Sequence, residues 1–222
     1  MTTLTETPDL NNVSDEYFYR MLSPSALKTS APYHLEEKRN ITKALQACPN
    51  IAEMNFVAVG GGELWELRSA LRYAKRYVCI EPLAHIFFND SIKYMIEERR
   101  DIDYIAKGFE AVSRDELPKG GCFFMFLFNI LAYIKEPISA INNIVRPGDV
   151  LFITTWADTR EARRTRQAYL DHLNRFEEKV VIDPAKTIGL SHLEHFPFNK
   201  LHSYKRHEYI QGTITETLVI YT

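Results

Sequence analysis

The chain has 222 residues, of which 45% are hydrophobic and 25% charged, the balance of a globular protein with one α/β domain and an appended segment. Its net charge of −2 gives no sign of the basic surface that binds nucleic acid, and its longest apolar run, Cys122–Phe128, is too short to span a bilayer. Three widely separated cysteines are typical of free thiols in a reducing compartment. The sequence therefore predicts a cytoplasmic protein without membrane or nucleic-acid partners, and it is compatible with a monomer or a homodimer.

The N-terminal part predicts a tail followed by two helices. Residues 1–13 are polar, without apolar periodicity or a signal-peptide pattern, and are expected to be disordered. Apolar residues at helical spacing predict one helix over 14–22 and a second from about Pro32 to Ala47. We expect residues 14–50 to form an N-terminal helical cap ahead of a Rossmann-like domain over 51–222.

From residue 51 onwards, short apolar runs alternate with amphipathic helices. The runs are apolar throughout instead of at every second residue, which is typical of parallel strands covered on both faces. The pattern therefore predicts a doubly wound α/β fold, with a mostly parallel sheet of the seven-stranded type and helices on both faces. Strands are predicted at Asn55–Val59, Tyr77–Ile80, Ile102–Ala106, Gly121–Phe128, Val150–Thr155 and Thr213–Thr222. Helices are predicted over 64–74, Ala84–Arg99, Pro137–Val145 and Asp158–Phe176, whereas residues 180–206 show no clear periodicity.

Three consecutive glycines, Gly60, Gly61 and Gly62, follow the first predicted strand and precede a helix. Glycine allows positive φ and close approach of a ligand to the backbone, and ligands of open parallel sheets bind at this edge. Glu81 ends the second strand, 21 residues after Gly60. A carboxylate at this distance accepts hydrogen bonds from ribose hydroxyls in nucleoside-binding α/β folds. The two features together predict a site for a nucleoside-bearing cofactor.

The glycine pattern also restricts which cofactor is expected. Gly60 and Gly62 fit the dinucleotide fingerprint, but its third glycine position holds Trp65. The bulky indole disfavours close packing of helix on strand, and no Gly-Lys-Ser/Thr sequence follows to cradle phosphates. A cofactor without a pyrophosphate fits better.

Five segments, in the expected order, resemble the class I S-adenosylmethionine-dependent methyltransferases over about residues 52–156. They are Phe56–Leu64, Cys79–Pro82, Ala106–Glu110, Phe126–Tyr133 and Ile144–Ile153. The chain departs from the family where an acid usually stands, at Ala58, and where a further glycine usually stands, at Leu64. The resemblance implies S-adenosylmethionine as cofactor, with its methyl group passing to a nucleophile held above Asn129. It implies that the cofactor contacts are Gly60, Gly61, Gly62, Glu81, Pro82, Phe109, Glu110 and Asn129.

The methyl acceptor is expected to be a small molecule, methylated on oxygen or nitrogen. The family's Asn/Asp-Pro-Pro-Tyr/Phe signature for base nitrogens is missing, because Asn129 is followed by Ile130-Leu131-Ala132. The aromatic residues of the cap and of the strand ends are the candidate acceptor contacts, namely Tyr19, Tyr33, Tyr133 and Trp156. A general base is optional in such enzymes, and its candidates are Tyr133, His34 and His192.

Two alternatives to methyl transfer stay open. One is a transferase that moves the aminocarboxypropyl or aminopropyl part of a related sulfonium. The other is a non-catalytic, cofactor-binding regulatory subunit, to which the departures at Ala58 and Leu64 point. No metal is predicted, because His192 and His195 are better explained by a helix start at which Ser191 and Glu194 form a capping box.

Overall fold

The computed structural model describes residues 23–61, 72–73, 75–84, 90–98, 101–128, 130–174, 193 and 196–222. The predicted tail, the helix predicted over 14–22 and most of the helix predicted over 64–74 lie outside these residues.

A seven-stranded sheet forms the centre of the fold, in the order β3-β2-β1-β4-β5-β7-β6. The first five strands are parallel to one another, and β7 pairs antiparallel with both β5 and β6. The prediction of a doubly wound, mostly parallel sheet is confirmed. The strands are β1 (Asn55–Val59), β2 (Arg76–Ile80), β3 (Ile102–Ile105), β4 (Cys122–Phe126), β5 (Val150–Trp156), β6 (Arg206–Gln211) and β7 (Thr215–Tyr221).

Helices cover the sheet, and the hydrophobic core lies on both of its faces. Every residue of β1, β4, β5 and β7 is buried, which explains why the central strands are apolar throughout. Side chains of β4 alternate between the two core clusters, with Phe124 on one face and Phe123 on the other. The described helices are α1 (Pro24–Ala47), α2 (Asp90–Glu98), α3 (Pro137–Ile144) and α4 (Arg160–Asn174).

Helix α1 begins eight residues before its predicted start at Pro32. The Ser23 side chain caps it by accepting a hydrogen bond from the Ala26 backbone N–H at 3.2 Å, and Pro24 occupies the first turn, where proline is tolerated. Pro32 lies inside the helix with its side chain exposed, while the following Tyr33 is fully buried. Pro32 removes one backbone hydrogen bond of the helix, which nevertheless continues to Ala47.

Polar side chains fix α1 onto the antiparallel end of the sheet. Asn40 donates to the hydroxyls of Thr215 and Thr217, at 3.2 and 3.0 Å. Glu36 accepts from the backbone N–H groups of Ile214 and Thr215 in the turn that joins β6 to β7. A Cβ atom on Gly212 would overlap the Glu36 carboxylate and lie 2.8 Å from the backbone oxygen of Thr215, so glycine is favoured at this position. Helix α1 also packs against α4 and β5.

A buried carboxylate ties together the starts of β4 and β5. Asp149 is 1% exposed and accepts hydrogen bonds from the backbone N–H of Cys122 at 2.7 Å and of Arg146 at 2.8 Å. The Arg114 guanidinium binds both of its oxygens, at 2.8 and 3.2 Å. Asp149 thus stabilises the edge of the sheet where β4 and β5 begin, which is opposite the carboxyl ends of the parallel strands.

Candidate functional site

The strand order changes direction between β1 and β4, where β2 and β3 lie to one side and β5 to the other. Ligands of open α/β sheets bind beyond the carboxyl ends of the strands at this switch point. The segments that follow β1, β2, β4 and β5 therefore surround the candidate site. Helix α1 adds side chains to it from the side of β5.

The glycine turn starts directly at the end of β1. Gly60 has a φ of +69°, and its N–H donates to the carbonyl of Ile80 across 2.8 Å. A Cβ on Gly60 would lie 2.6 Å from the Ile130 side chain. A Cβ on Gly61 would lie 3.0 Å from both the Ala58 Cβ and the Cys79 Sγ. Gly60 thus requires glycine because of its backbone conformation and packing. A Cβ on Gly61 would be tightly packed and would need its neighbours to shift slightly. Gly62 lies outside the described residues.

Glu81 is placed beside this turn at the end of β2. It is 4% exposed, and its backbone N–H donates to the carbonyl of Ile105 across 3.0 Å. Its Oε1 atom accepts a hydrogen bond from the Leu83 N–H at 3.0 Å, which orients the carboxylate. The next residue, Pro82, is exposed. The structure thus brings a nearly buried carboxylate and the Gly60 turn to adjacent strand ends.

The segment after β3 contains Phe109 and Glu110 in a short 3-10 turn. The Phe109 ring is 2% exposed and packs against Phe126, with ring centroids 5.2 Å apart, so the ring belongs to the hydrophobic core. Glu110 is exposed, and its Oε1 accepts from the Lys135 N–H at 3.0 Å. Glu110 therefore links the segment after β3 to the loop after β4.

A polar layer lies beneath the glycine turn, next to Ala58, the position where the sequence resemblance leads us to expect an acid. Ala58 at that position is buried, and the Tyr77 hydroxyl lies 3.4 Å from the point where a Cβ on Gly61 would stand. Burial raises the pKa of Tyr104 of β3 above its usual value, with Cys79 and Glu81 adding to the effect. The atoms nearest to a Cβ on Gly61 thus include the Cys79 thiol and the Tyr77 hydroxyl.

Phe128, two residues beyond β4, has an unusual backbone. Its φ is +47°, in the left-handed region that bulky side chains rarely adopt. Its N–H donates to Oε1 of Glu37 in α1 at 2.8 Å, and the Thr154 hydroxyl donates to the same oxygen. Glu37 is fully buried. A buried carboxylate therefore holds the chain where it leaves β4, and strained backbone of this kind concentrates at functional sites.

Aromatic rings surround Phe128 on several sides. Its ring stacks on His34 with centroids 4.7 Å apart and meets Tyr33 edge-on at 5.0 Å. Tyr33 in turn packs against Trp156 at 4.5 Å, and Tyr169 of α4 lies 5.6 Å from Phe128. Tyr33, Trp156 and Tyr169 are buried, while His34 and Phe128 are partly exposed. We call Tyr33, His34, Phe128, Trp156 and Tyr169 the aromatic cluster.

The structure brings together several of the predicted site residues. Gly60, Gly61, Glu81 and Pro82 lie at the ends of β1 and β2, and Tyr33, His34 and Trp156 lie in the aromatic cluster. Tyr133 is half-buried at the end of a 3-10 turn, Ile130–Tyr133, that follows β4. Four predicted residues, Gly62, Tyr19, Asn129 and His192, lie outside the described residues.

Sequence reasoning missed Glu37 and Phe128. A glutamate within a helix is typical of a solvent-exposed position, and only its spacing of three residues from His34 could have suggested a pair on one helix face. Nothing in the sequence distinguishes Phe128 from its phenylalanine neighbours, because its distinction is a backbone angle.

Neither a metal centre nor a membrane span is found in the described parts of the chain. Among these residues, no three His, Cys, Asp or Glu side chains are grouped closely enough to hold a metal ion. No helix within the same ranges combines the length and apolarity needed to cross a bilayer.

Comparison with known proteins identifies the fold. No protein-family model matches the chain, and no curated protein matches it in sequence. A SAM-dependent methyltransferase from Aquifex aeolicus has 10% identity and a TM-score of 0.56, over 94% of this chain and 98% of that one. A putative methyltransferase from Thermobifida fusca also has 10% identity and a TM-score of 0.56, over 92% and 85% of the two chains. The CMeT domain of the citrinin polyketide synthase has 11% identity and a TM-score of 0.53, over 87% and 53%.

These likenesses show the fold of the chain. It is the mostly parallel, Rossmann-like α/β fold found in SAM-dependent methyltransferases. The fold expected from the sequence resemblance is therefore confirmed.

Proposed function

We propose that the protein is an S-adenosylmethionine-dependent methyltransferase that methylates oxygen or nitrogen of a small molecule. The observation that carries the proposal is the Glu81 carboxylate, nearly buried and oriented at the end of β2 beside the Gly60 turn. A carboxylate at this position of a nucleoside-binding sheet accepts hydrogen bonds from the two ribose hydroxyls. The fold supports the same conclusion, because several solved structures that share it are named methyltransferases.

The residues at the glycine turn fit a nucleoside cofactor. Gly60 has a positive φ in the turn after β1, and Glu81 at the adjacent strand end provides an acceptor for hydroxyl donors. When bound, S-adenosylmethionine supplies an electrophilic methyl group on its sulfonium. Phe109 would contact it through its backbone, because its ring packs in the core. The proposed cofactor contacts are Gly60, Gly61, Gly62, Glu81, Pro82, Phe109, Glu110 and Asn129.

The acceptor would bind at the aromatic cluster, on the β4–β5 side of the cofactor. The partly exposed rings of His34 and Phe128 offer an apolar wall for a small molecule, and Tyr33 and Trp156 support these rings from behind. Such enzymes depend mainly on positioning the acceptor and on excluding water. The proposed acceptor-binding residues are Tyr19, Tyr33, Tyr133 and Trp156. Of these, Tyr33 and Trp156 are buried and would act by packing behind the rings that contact the acceptor.

Calorimetry with S-adenosylmethionine and S-adenosylhomocysteine tests the cofactor site. We expect both to bind to the purified protein, and Glu81→Ala to weaken binding about 10- to 100-fold, the effect of losing hydrogen bonds to a charged acceptor. Glu53→Ala is the matched control, because Glu53 is an exposed glutamate in the turn before β1, at the opposite edge of the sheet. Absence of binding of either compound to the native protein would refute the proposed function.

A further inference from the structure

The carboxylate of Glu37 in α1 lies buried beside the end of β4. Glu37 is fully buried, and its Oε1 atom accepts hydrogen bonds from the Phe128 N–H at 2.8 Å and from the Thr154 hydroxyl. Its Oε2 atom is also buried and has no hydrogen-bond partner among the described residues. Both donors are neutral groups, so neither offsets the negative charge of the carboxylate.

Within the described part of the chain, one ionisable group of opposite sign lies near this carboxylate. Nδ1 of His34 lies 3.8 Å from Oε2, which is within ion-pair distance but too long for a hydrogen bond. Imidazole carries a positive charge only when it is protonated, which is the minor form of an ordinary histidine above about pH 7. A buried charge without a cationic partner is costly, so a ligand that brings a positive charge is the partner that this carboxylate fits.

Glu37 lies close to the glycine turn of the proposed cofactor site. β1 and β4 are neighbouring parallel strands, and Gly61 and Phe128 each follow the last matched pair of these strands by two residues. The two residues therefore stand at about the same level, roughly one strand spacing of 5 Å apart. The loop after β4 also contacts the turn, because a Cβ on Gly60 would lie 2.6 Å from the Ile130 side chain. A group bound at the turn is thus expected within about 12 Å of the Glu37 carboxylate.

The surroundings of Glu37 screen its charge weakly. Tyr33, one helical turn before Glu37, is fully buried, and Thr154 and Trp156 on β5 are buried as well. Water is therefore excluded from the neighbourhood of the carboxylate. A charge in such an environment acts more strongly and over a longer range than a charge in solvent.

We infer that the negative charge of Glu37 makes the cofactor site selective for the positively charged sulfonium of S-adenosylmethionine over S-adenosylhomocysteine, whose sulfur is uncharged. The inference rests on the proposed function. The two compounds differ by one methyl group and one positive charge, and they share the adenosine, the ammonium and the carboxylate. A carboxylate that acts through its charge therefore favours the methylated compound. Glu37 would thereby favour replacement of the product by fresh cofactor.

Calorimetry with both compounds, on the full chain at pH 8, tests this inference without any methyl acceptor. Glu37→Gln removes the charge, while its amide oxygen can still accept from the Phe128 N–H. Two unit charges about 8–12 Å apart, at an effective dielectric constant of about 20, attract by the equivalent of about 10- to 30-fold in affinity. We expect Glu37→Gln to weaken the binding of S-adenosylmethionine by about this factor and to leave that of S-adenosylhomocysteine nearly unchanged.

Glu36→Gln is the matched control, because Glu36 is the adjacent glutamate of α1 but binds the β6–β7 turn. It should leave the ratio of the two affinities unchanged. Retained binding of S-adenosylhomocysteine shows that Glu37→Gln is folded. A native ratio of affinities in Glu37→Gln, or the same change of ratio in Glu36→Gln, would overturn the inference.

The native protein provides a second test that needs no variant. An analogue in which a protonated amine replaces the methylated sulfur carries the positive charge without the sulfonium. It should bind the native protein more tightly than S-adenosylhomocysteine by about the same factor, and equal or weaker binding would overturn the inference. Failure of the native protein to bind any of the three compounds would instead refute the proposed function, so the two failures are distinguishable.

Discussion

The backbone N–H of Phe128 donates to the carboxylate of Glu37 across 2.8 Å, although the two residues are 91 positions apart in the chain. This hydrogen bond joins α1 to the point where the chain leaves β4. It also lies at the centre of the aromatic cluster, because Phe128 packs against Tyr33, His34 and Tyr169. One buried glutamate therefore couples the stability of the N-terminal helix to the geometry of the proposed acceptor site.

Removal of the Glu37 carboxylate should destabilise the fold. Glu37→Ala leaves the partly buried N–H of Phe128 without its acceptor, which costs about 1–3 kcal/mol of unfolding free energy. Urea unfolding measures the change, and Lys38→Ala, at the adjacent exposed position of the same helix, is the control. Equal stability of the two variants would show that the hydrogen bond contributes nothing.

The Asp149 network should matter more for stability. Asp149→Ala removes the acceptor of two backbone N–H groups and leaves the Arg114 guanidinium, 17% exposed, without its carboxylate. Removing one partner of such a buried pair typically costs about 3–5 kcal/mol. Thermal and urea unfolding should show this loss, while Asp115→Ala, at an exposed site, should stay within about 0.5 kcal/mol of the native protein. A native-like midpoint for Asp149→Ala would contradict this account.

Substitutions at two glycines with positive φ distinguish the cost of backbone strain from the cost of steric overlap. Gly60→Ala and Gly148→Ala both place a side chain in the left-handed region, at φ of +69° and +96°, which costs about 1–2 kcal/mol. A Cβ at Gly60 also collides with Ile130, whereas a Cβ at Gly148 meets nothing within 4 Å. We expect Gly60→Ala to be the less stable variant in urea and the one that loses cofactor binding. Gly148→Ala should bind the cofactor as the native protein does, and a similar loss of binding in both variants would contradict the assigned site.

The free energy of unfolding should fall at alkaline pH, because buried thiol and phenol groups keep their protons in the folded state. Burial raises the pKa of Cys122 from 9.0 to about 11, with Asp149 adding to the rise and Arg114 opposing it. Because the unfolded thiol ionises first, the unfolded state binds fewer protons above about pH 9, and stability falls as pH rises from 9 towards 11. Cys48 and Tyr221, whose pKa values are also raised mainly by burial, act in the same direction.

Urea midpoints measured across this pH range check the effect. Cys122→Ala should reduce the downward slope of stability between pH 9 and about 11, whatever its stability at neutral pH. Below about pH 7.5 the curves of variant and native protein should run parallel, because the thiol is protonated in both states. Parallel curves at all pH values would show that Cys122 does not titrate differently in the two states.

The parallel core was predictable because its strands are buried on both faces. Phe123 and Phe124 belong to opposite core clusters, so β4 is apolar at every position and the strand is apparent from the sequence. The edge strand β6 was missed because its residues alternate between exposed and partly exposed. Its pairing with β7 is specified by contacts distant in sequence, such as that of Glu36 with the turn, which a local pattern does not contain.

Helix α1 shows why the acceptor side was harder to predict. The face that it presents to the sheet and α4 includes the polar residues Ser30, Glu37 and Asn40, whereas Leu35 is 60% exposed. A prediction that the apolar residues of α1 face the core therefore places Leu35 in the core and Glu37 in solvent, the reverse of what the structure shows. The carboxylate is buried because it satisfies donors on β5 and after β4, which only the tertiary structure brings within reach.

Mass analysis of the reaction products tests the central claim most directly. The native protein is incubated with S-adenosylmethionine and a small-molecule extract of the source cells, and both cofactor product and modified metabolite are identified. Methyl transfer predicts S-adenosylhomocysteine together with a metabolite heavier by one methyl group. A metabolite carrying an aminocarboxypropyl group together with methylthioadenosine, or binding of the cofactor without any turnover, would contradict methyl transfer.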